Sequence, residues 1–336
     1  MIHRSVRRAG YALLGFVLAA CATPGEAETL AKESSGITVQ SDIVYGTGIV
    51  DASTAPHERN LTLDAYLPAA GGLSPSPAII MAFGGAFHRG SKGDFHFIED
   101  GAQDSSMADY CRVFAEHGIA CFAIDYRLVP EDPAFPEAAR DAVTVPKALL
   151  EDPGAMARIA LVRQRMNLPP LDATSREQYW STTFAAAWDF NAALDYVRRN
   201  AAQFGVDPDR IAVGGFSAGA ISAINLAYGI GAPVSAVVSI SGTIWGYDVT
   251  QTAHSGEPPL LLLAGQQDLA GIRWGSSELA RQFPAKGVHV ETAWVPGFGH
   301  FYPMGATTLG SGFTKQSVEE RILAFLDSTS PAATHP

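Results

Sequence analysis

The chain has 336 residues, of which 47% are hydrophobic and 17% charged, a balance that supports a sizeable core and excludes global disorder. Lys and Arg total 23 against 34 Asp and Glu, for a formal net charge of -11. A chain this acidic has no electrostatic footprint for nucleic acid or for an anionic lipid surface, so neither is expected as a partner.

At the amino terminus, Arg4, Arg7 and Arg8 form a basic head, followed by an uncharged, mostly apolar run from Gly10 to Ala20. That run is too short to span a bilayer as a helix but suits a signal-peptide core. It ends in Leu18-Ala19-Ala20-Cys21, which resembles the bacterial lipobox. The resemblance implies a signal peptide over 1–20, a lipidated Cys21 and a small, polar tether over 21–36. The expected location is the periplasmic side of a bacterial cell envelope, with the membrane touched only through that lipid. An ordinary signal peptide cleaved near Ala27, giving a soluble secreted protein, is the alternative. The two remaining cysteines, Cys111 and Cys121, fall on an expected helix and the strand after it, so a disulfide and two buried thiols both remain open. No metal-ligand spacing of Cys or His occurs.

From residue 37 onward strands alternate with helices. Ile37–Tyr45 and Asn60–Leu67 read as an antiparallel pair at a sheet edge. Ala78–Phe83 is a buried strand running into Gly84-Gly85. Ser105–His117 is a helix stopped by Gly118, and Ile119–Tyr126 a buried strand. About sixty residues then break the rhythm. Pro133–Leu150 has room for one helix, and the stretch over roughly 143–186 reads as a lid or cap, since a long excursion in a compact α/β unit is usually functional. Ala187–Phe204 is an amphipathic helix closed by Gly205. Ile211–Phe216 is a strand, Ala218–Tyr228 a helix, Val234–Ser241 and Leu260–Ala264 strands, Ser276–Phe283 a helix, Val288–Val295 a strand and Val318–Leu326 the closing helix. Alternation of this kind argues for an α/β domain over 37–330 with a mostly parallel, eight-stranded sheet covered on both faces, and a short tail over 331–336.

The strand Ile211–Phe216 runs directly into Gly215-Phe216-Ser217-Ala218-Gly219 and a helix of small residues. This is the Gly-x-Ser-x-Gly nucleophile elbow, in which flanking glycines let strand and helix approach while the turn lifts the serine hydroxyl above the sheet edge. A serine nucleophile needs a base, and the base needs an orienting carboxylate. In chain order these follow the serine as acid, then histidine. Asp268 lies in the loop after the buried strand Leu260–Ala264, and is preferred to Asp248, which follows Trp245-Gly246-Tyr247 in a less defined loop. Among the histidines after Ser217, His300 sits in a glycine-rich loop directly behind the last strand. His289 lies within a strand, His254 precedes the acid and His335 is in the tail. The oxyanion hole is assigned to the backbone N–H groups of Gly85, Ala86 and Ala218, with Gly84 as a substitute.

With these motifs the chain resembles the carboxylesterases related to hormone-sensitive lipase within the α/β-hydrolases. The resemblance runs from about Asn60 to Leu326 and rests on Phe83-Gly84-Gly85-Ala86-Phe87, Asp125-Tyr126-Arg127-Leu128, the elbow, Asp268 and His300. Phe83 stands where that family has histidine, and Ala86 replaces its third glycine. The excursion before Ala187 is not that family's N-terminal cap. The resemblance also implies a structural role for Asp125-Tyr126-Arg127, read here as an internal Asp–Arg pair bracing the oxyanion loop. The expected activity is hydrolysis of a small or oligomeric carboxylic ester through an acyl-serine intermediate, with neither cofactor nor metal. A peptidase or amidase using the same triad is the first alternative, and a non-catalytic binding protein on this scaffold the second. Tyr179, Trp180, Phe184, Phe87, Trp245, Phe298 and Tyr302 hint at an apolar or aromatic group in the substrate.

Overall fold

The computed structural model describes residues 36–69 and 75–329. The signal peptide, the tether, Cys21, His335 and the 331–336 tail lie outside the described residues. Ten strands form one mixed sheet. In chain order they are β1 (Thr38–Val50), β2 (His57–Leu67), β3 (Ser76–Ala82), β4 (Ala120–Ile124) and β5 (Val206–Phe216), then β6 (Val237–Ile240), β7 (Leu260–Gly265), β8 (Val290–Val295), β9 (Thr307–Gly310) and β10 (Lys315–Ser317). Their spatial order is β1-β2-β4-β3-β5-β6-β7-β8-β9-β10. The central run from β4 to β8 is parallel. The pairs at both edges are antiparallel.

Eight of these strands match the sequence expectation, while β9 and β10 are additions at the far edge. They are four and three residues long, TTLG and KQS. Such short polar pieces carry no alternation for a sequence reading to detect. The central strands are apolar throughout because both their faces are covered: every residue of β4, β6 and β7 is buried.

Helix α1 (Met107–Glu116) starts at a capping box formed by Ser106 and Asp109. Its Cys111 is disulfide-bonded to Cys121 in β4, which resolves the choice left open by sequence. The excursion after β4 departs from expectation. Prolines 133, 136 and 146 remove backbone donors, so no single helix forms over 133–150. Short 3-10 turns stand there instead, at Glu137–Ala139 and Lys147–Glu151. A separate helix, α2 (Pro153–Arg165), follows. The helix expected from Ala187 begins at Ala173 and runs to Arg199 as α3, capped by Asp172 and Ser175. Its first half therefore lies within the stretch read as a cap. The helix read as 276–283 likewise extends over Ala270–Ala285.

Candidate active site

Every candidate catalytic group lies just past the carboxyl end of a strand, the edge at which open α/β sheets place their ligands. Ser217 follows β5 and precedes α4 (Ala218–Ile224). Its φ of +51° and ψ of -111° are strained for a residue with a side chain. Two close approaches hold it there. Ser217 N–H donates to the Ile240 carbonyl of β6 at 2.8 Å. On the other side, α4 is drawn so close to β3 that a Cβ on Gly219 would overlap the Ala82 carbonyl, and one on Gly215 would do the same. The Gly-x-Ser-x-Gly pattern is thus a packing requirement at this site.

Ser217 Oγ lies 2.9 Å from His300 Nε2, and His300 Nδ1 lies 2.7 Å from Asp268 Oδ1. An ionised carboxylate only accepts, so Nδ1 carries the proton and Nε2 is the acceptor for the serine hydroxyl. Asp268 and His300 are each 3% exposed. Asp268 is well supplied with donors: Leu269 N–H reaches Oδ1 at 2.7 Å, while Gly265 N–H and Ser241 Oγ reach Oδ2 at 3.2 and 2.6 Å. The Ser241 hydroxyl is in turn 2.9 Å from Tyr302 Oη. Loops carrying acid and base are tied directly, since Gln267 N–H donates to the Phe298 carbonyl at 2.9 Å.

The rejected candidates lie elsewhere. His254 and His289 are exposed and pair with Glu257 and Glu291. Asp248 accepts from the side chains of Thr250 and Gln251.

The loop after β3 carries Gly85, Ala86 and Phe87 at φ of +115°, +58° and +61°. Two successive non-glycine residues in this region need outside support. Phe87 is fully buried, and its carbonyl accepts from Val129 N–H at 2.7 Å. His88 N–H donates back to Gly85 at 3.1 Å. Gly84 packs on Phe216, the residue before the serine, which sets this loop beside the elbow. Phe83, the departure from the histidine pattern, stacks on Tyr126 at 4.4 Å, and Tyr126 Oη donates to the Phe83 carbonyl at 2.8 Å. Aromatic packing thereby orders the segment that a histidine was expected to order.

One expectation fails. Asp125 and Arg127 do not pair with each other. Arg127 makes a buried, forked ion pair with Asp189 of α3, with Nη2 to Oδ1 at 2.7 Å and Nε to Oδ2 at 3.0 Å. Consecutive odd positions here serve different partners. Asp125 accepts from Lys92 N–H at 3.1 Å and so still steadies the segment beyond the oxyanion loop.

Of the aromatic residues singled out, Phe87, Tyr179, Trp180, Phe184 and Trp245 form one buried cluster beside the Gly85-Ala86 loop. Tyr302 belongs instead with Ser241 and Asp268. Sequence reasoning missed Ser241 and the pair His88 and Arg163. His88 Nδ1 donates to the Ala86 carbonyl at 2.8 Å, and Arg163 Nη1 of α2 lies 3.4 Å from His88 Nε2. Burial pulls the His88 pKa down to about 4, so its ring is neutral. For Ser241 a signal existed, a hydroxyl directly behind a buried strand; for His88 and Arg163 none did, because they lie 75 residues apart.

A groove of about 480 Å³ lined by Pro77, His117, Arg210 and Leu326 sits at the opposite, amino-terminal edge of the sheet and includes none of the triad. No three His, Cys, Asp or Glu side chains among the described residues cluster as a metal site.

The BD-FAE family model matches residues 176–231, which contain all but the first three residues of α3, together with β5 and the elbow. No curated protein matches the chain. Among solved structures, Thermogutta terrifontis esterase 2 phosphoramylated by tabun is 20% identical, with a TM-score of 0.53 over 88% of this chain and 94% of that one. The same esterase with propionate bound is 19% identical, with a TM-score of 0.54 over 90% and 97%. Likeness of this degree bears on architecture, and with the strand order and the serine elbow it identifies the chain as having the α/β-hydrolase fold.

Proposed function

We propose that the protein is a serine carboxylesterase. The observation that carries this reading is the unbroken line of hydrogen bonds from Ser217 through His300 to Asp268, which ends at a half-buried serine hydroxyl beside the Gly85-Ala86 loop. In the first step Ser217 Oγ attacks the ester carbonyl carbon and His300 Nε2 takes the hydroxyl proton. Asp268 holds the ring and stabilises its cationic form. Negative charge developing on the carbonyl oxygen meets the N–H groups of Gly85, Ala86 and Ala218. Collapse of the tetrahedral intermediate breaks the ester C–O bond, and His300 protonates the departing alcohol. A water deprotonated by His300 then attacks the acyl-serine, and the acid leaves. Thermogutta terrifontis esterase 2, similar in fold, has been captured with propionate bound and phosphorylated by paraoxon, which supports the esterase reading.

The test is a hydrolysis profile over p-nitrophenyl esters of two to sixteen acyl carbons, with wild type and Ser217→Ala. Wild type turns over the shorter esters, and the variant loses about 10³-fold or more. Hydrolysis by the variant at a near wild-type rate would refute the assignment.

A further inference from the structure

Arg163 is a buried cation without a carboxylate. It is 7% exposed, and among the described residues no acid lies within 4.0 Å of its guanidinium. Nε donates to the Pro169 carbonyl at 2.9 Å, and one Nη1 proton points at the neutral His88 ring at 3.4 Å. The remaining donors of the fork have no protein acceptor among the described residues. Asp172, whose charge reaches it from farther off, is exposed at the start of α3. Holding a largely buried charge against only a carbonyl and a neutral ring costs stability, and because Nη2 is not sealed from solvent a ligand can reach it and supply the missing partner.

Its place in the fold gives that cost a use. A single imidazole separates Arg163 from the Ala86 carbonyl of the oxyanion loop. On the same helix, Arg158 lies over the Phe301 ring, 5.3 Å from its centroid and next to His300. Helix α2 therefore bridges the oxyanion loop and the loop of the base. It carries Arg158, Arg163 and Arg165 and no acidic residue. Arg158 and Arg165, with Arg89, all converge on Glu99, and Arg165 also approaches Asp100 at 3.8 Å. Four guanidinium groups thus face Glu99, Asp100 and the more distant Asp172. In a chain of net charge -11, cations outnumber acids in this cluster beside the Gly85-Ala86 loop. Across the Tyr179 ring from His88, buried Trp245 Nε1 also lacks an acceptor.

We infer that Arg163 is a specificity residue that binds a carboxylate on the substrate, making the preferred substrates esters that carry a second, free carboxylate. The inference rests on the esterase reading above and narrows it. A carboxylate presents two acceptor oxygens to the guanidinium fork, a match that a neutral acyl chain cannot offer.

The experiment compares p-nitrophenyl hemiglutarate with p-nitrophenyl pentanoate, whose acyl chains are matched in length and differ in charge. Acetoxybenzoate against phenyl acetate places the charge on the alcohol side. Wild type is expected to favour the anionic member of one pair in kcat/KM. In Arg163→Gln that preference falls roughly ten- to hundredfold, mostly through KM, and Arg163→Lys recovers part of it. Which pair responds shows which side of the ester carries the anion. In the wild-type protein, glutarate inhibits competitively while glutaramide does not, a readout independent of whether the variants fold. An anionic-to-neutral ratio that stays within twofold between wild type and Arg163→Gln, or equal inhibition by glutarate and glutaramide, overturns the inference. Failure of the esterase reading looks different, since then no ester of either charge is turned over.

Discussion

Two buried polar networks cross this molecule, and they end differently. Beneath β1 and β2, Lys92 Nζ donates to Asp42 at 2.8 Å and Asp64 at 2.6 Å, Asp125 accepts from Lys92 N–H and Thr62, and Arg127 clamps Asp189. Each charge there finds an opposite charge or a donor inside the protein. The second network runs from Tyr302 through Ser241, Asp268 and His300 to Ser217, and stops at a hydroxyl that is only half-buried. A closed network braces, because all its members are satisfied at rest. A network left open at one end holds its last atom in place while leaving its lone pair for a substrate. Similar residues thus yield a strut in one place and a site of chemistry in another, and the difference lies in where the chain of hydrogen bonds terminates.

The largest effect that would break this contrast is in the closed network. Arg127→Ala leaves Asp189 buried and unpaired, and is expected to cost about 3–5 kcal/mol of stability. Urea unfolding should show a lower midpoint with an unchanged slope. A loss below about 1 kcal/mol would mean that the pair does not brace the fold.

Asp104 sharpens the contrast from a third position, because it is buried with donors but no close cation. Burial raises its pKa to about 7, against the lowering effect of Phe97 N–H, which it accepts at 2.7 Å. The folded protein holds this proton up to about pH 7, whereas an unfolded chain releases it near pH 4. Between those values the native state binds more protons, so stability falls as pH rises. Asp104→Asn removes this dependence. Relative to wild type, the variant should gain on the order of 2–4 kcal/mol between pH 4 and pH 8. Parallel stability curves for the two proteins would contradict it.

The smallest effect belongs to the open network. Ser241→Ala removes one donor from Asp268 and should lower kcat/KM about tenfold while costing only about 1 kcal/mol of stability. A stability loss with full activity retained would make Ser241 a strut after all, and erase the distinction.

Much of the active centre was legible in sequence because its parts obey local rules. A buried strand that runs into a short loop places the residues of that loop at the sheet edge, whatever lies elsewhere in the chain. Ser217 directly follows its strand, and Asp268 and His300 stand in the short loops after theirs. The stretch over 143–186, read as a cap, was not legible for the opposite reason. From Tyr179 to Ala187 nearly every residue of α3 is buried, so the helix has no polar stripe and no 3.6-residue period to read. Thr182 and Thr183, poor helix formers, are accommodated by donating to the Gln178 and Tyr179 carbonyls one turn back. Arg127 was assigned to a neighbour two residues away, while its partner stands 62 residues downstream. Such pairings are set by packing, which a linear pattern does not carry.

The serine elbow has a consequence for the order in which the protein matures. Its strained turn is fastened by Ser217 N–H to Ile240, the next loop by Ser241 N–H to Leu263 at 2.7 Å, and the next by Gln266 N–H to Val295 at 3.0 Å. Each clasp joins the end of one parallel strand to the next, and parallel neighbours are distant in sequence, so these contacts close late in folding. A chain in which these clasps have not closed holds the right residues without the geometry of the elbow. Covalent labelling of Ser217 would therefore serve as a clock for completed folding.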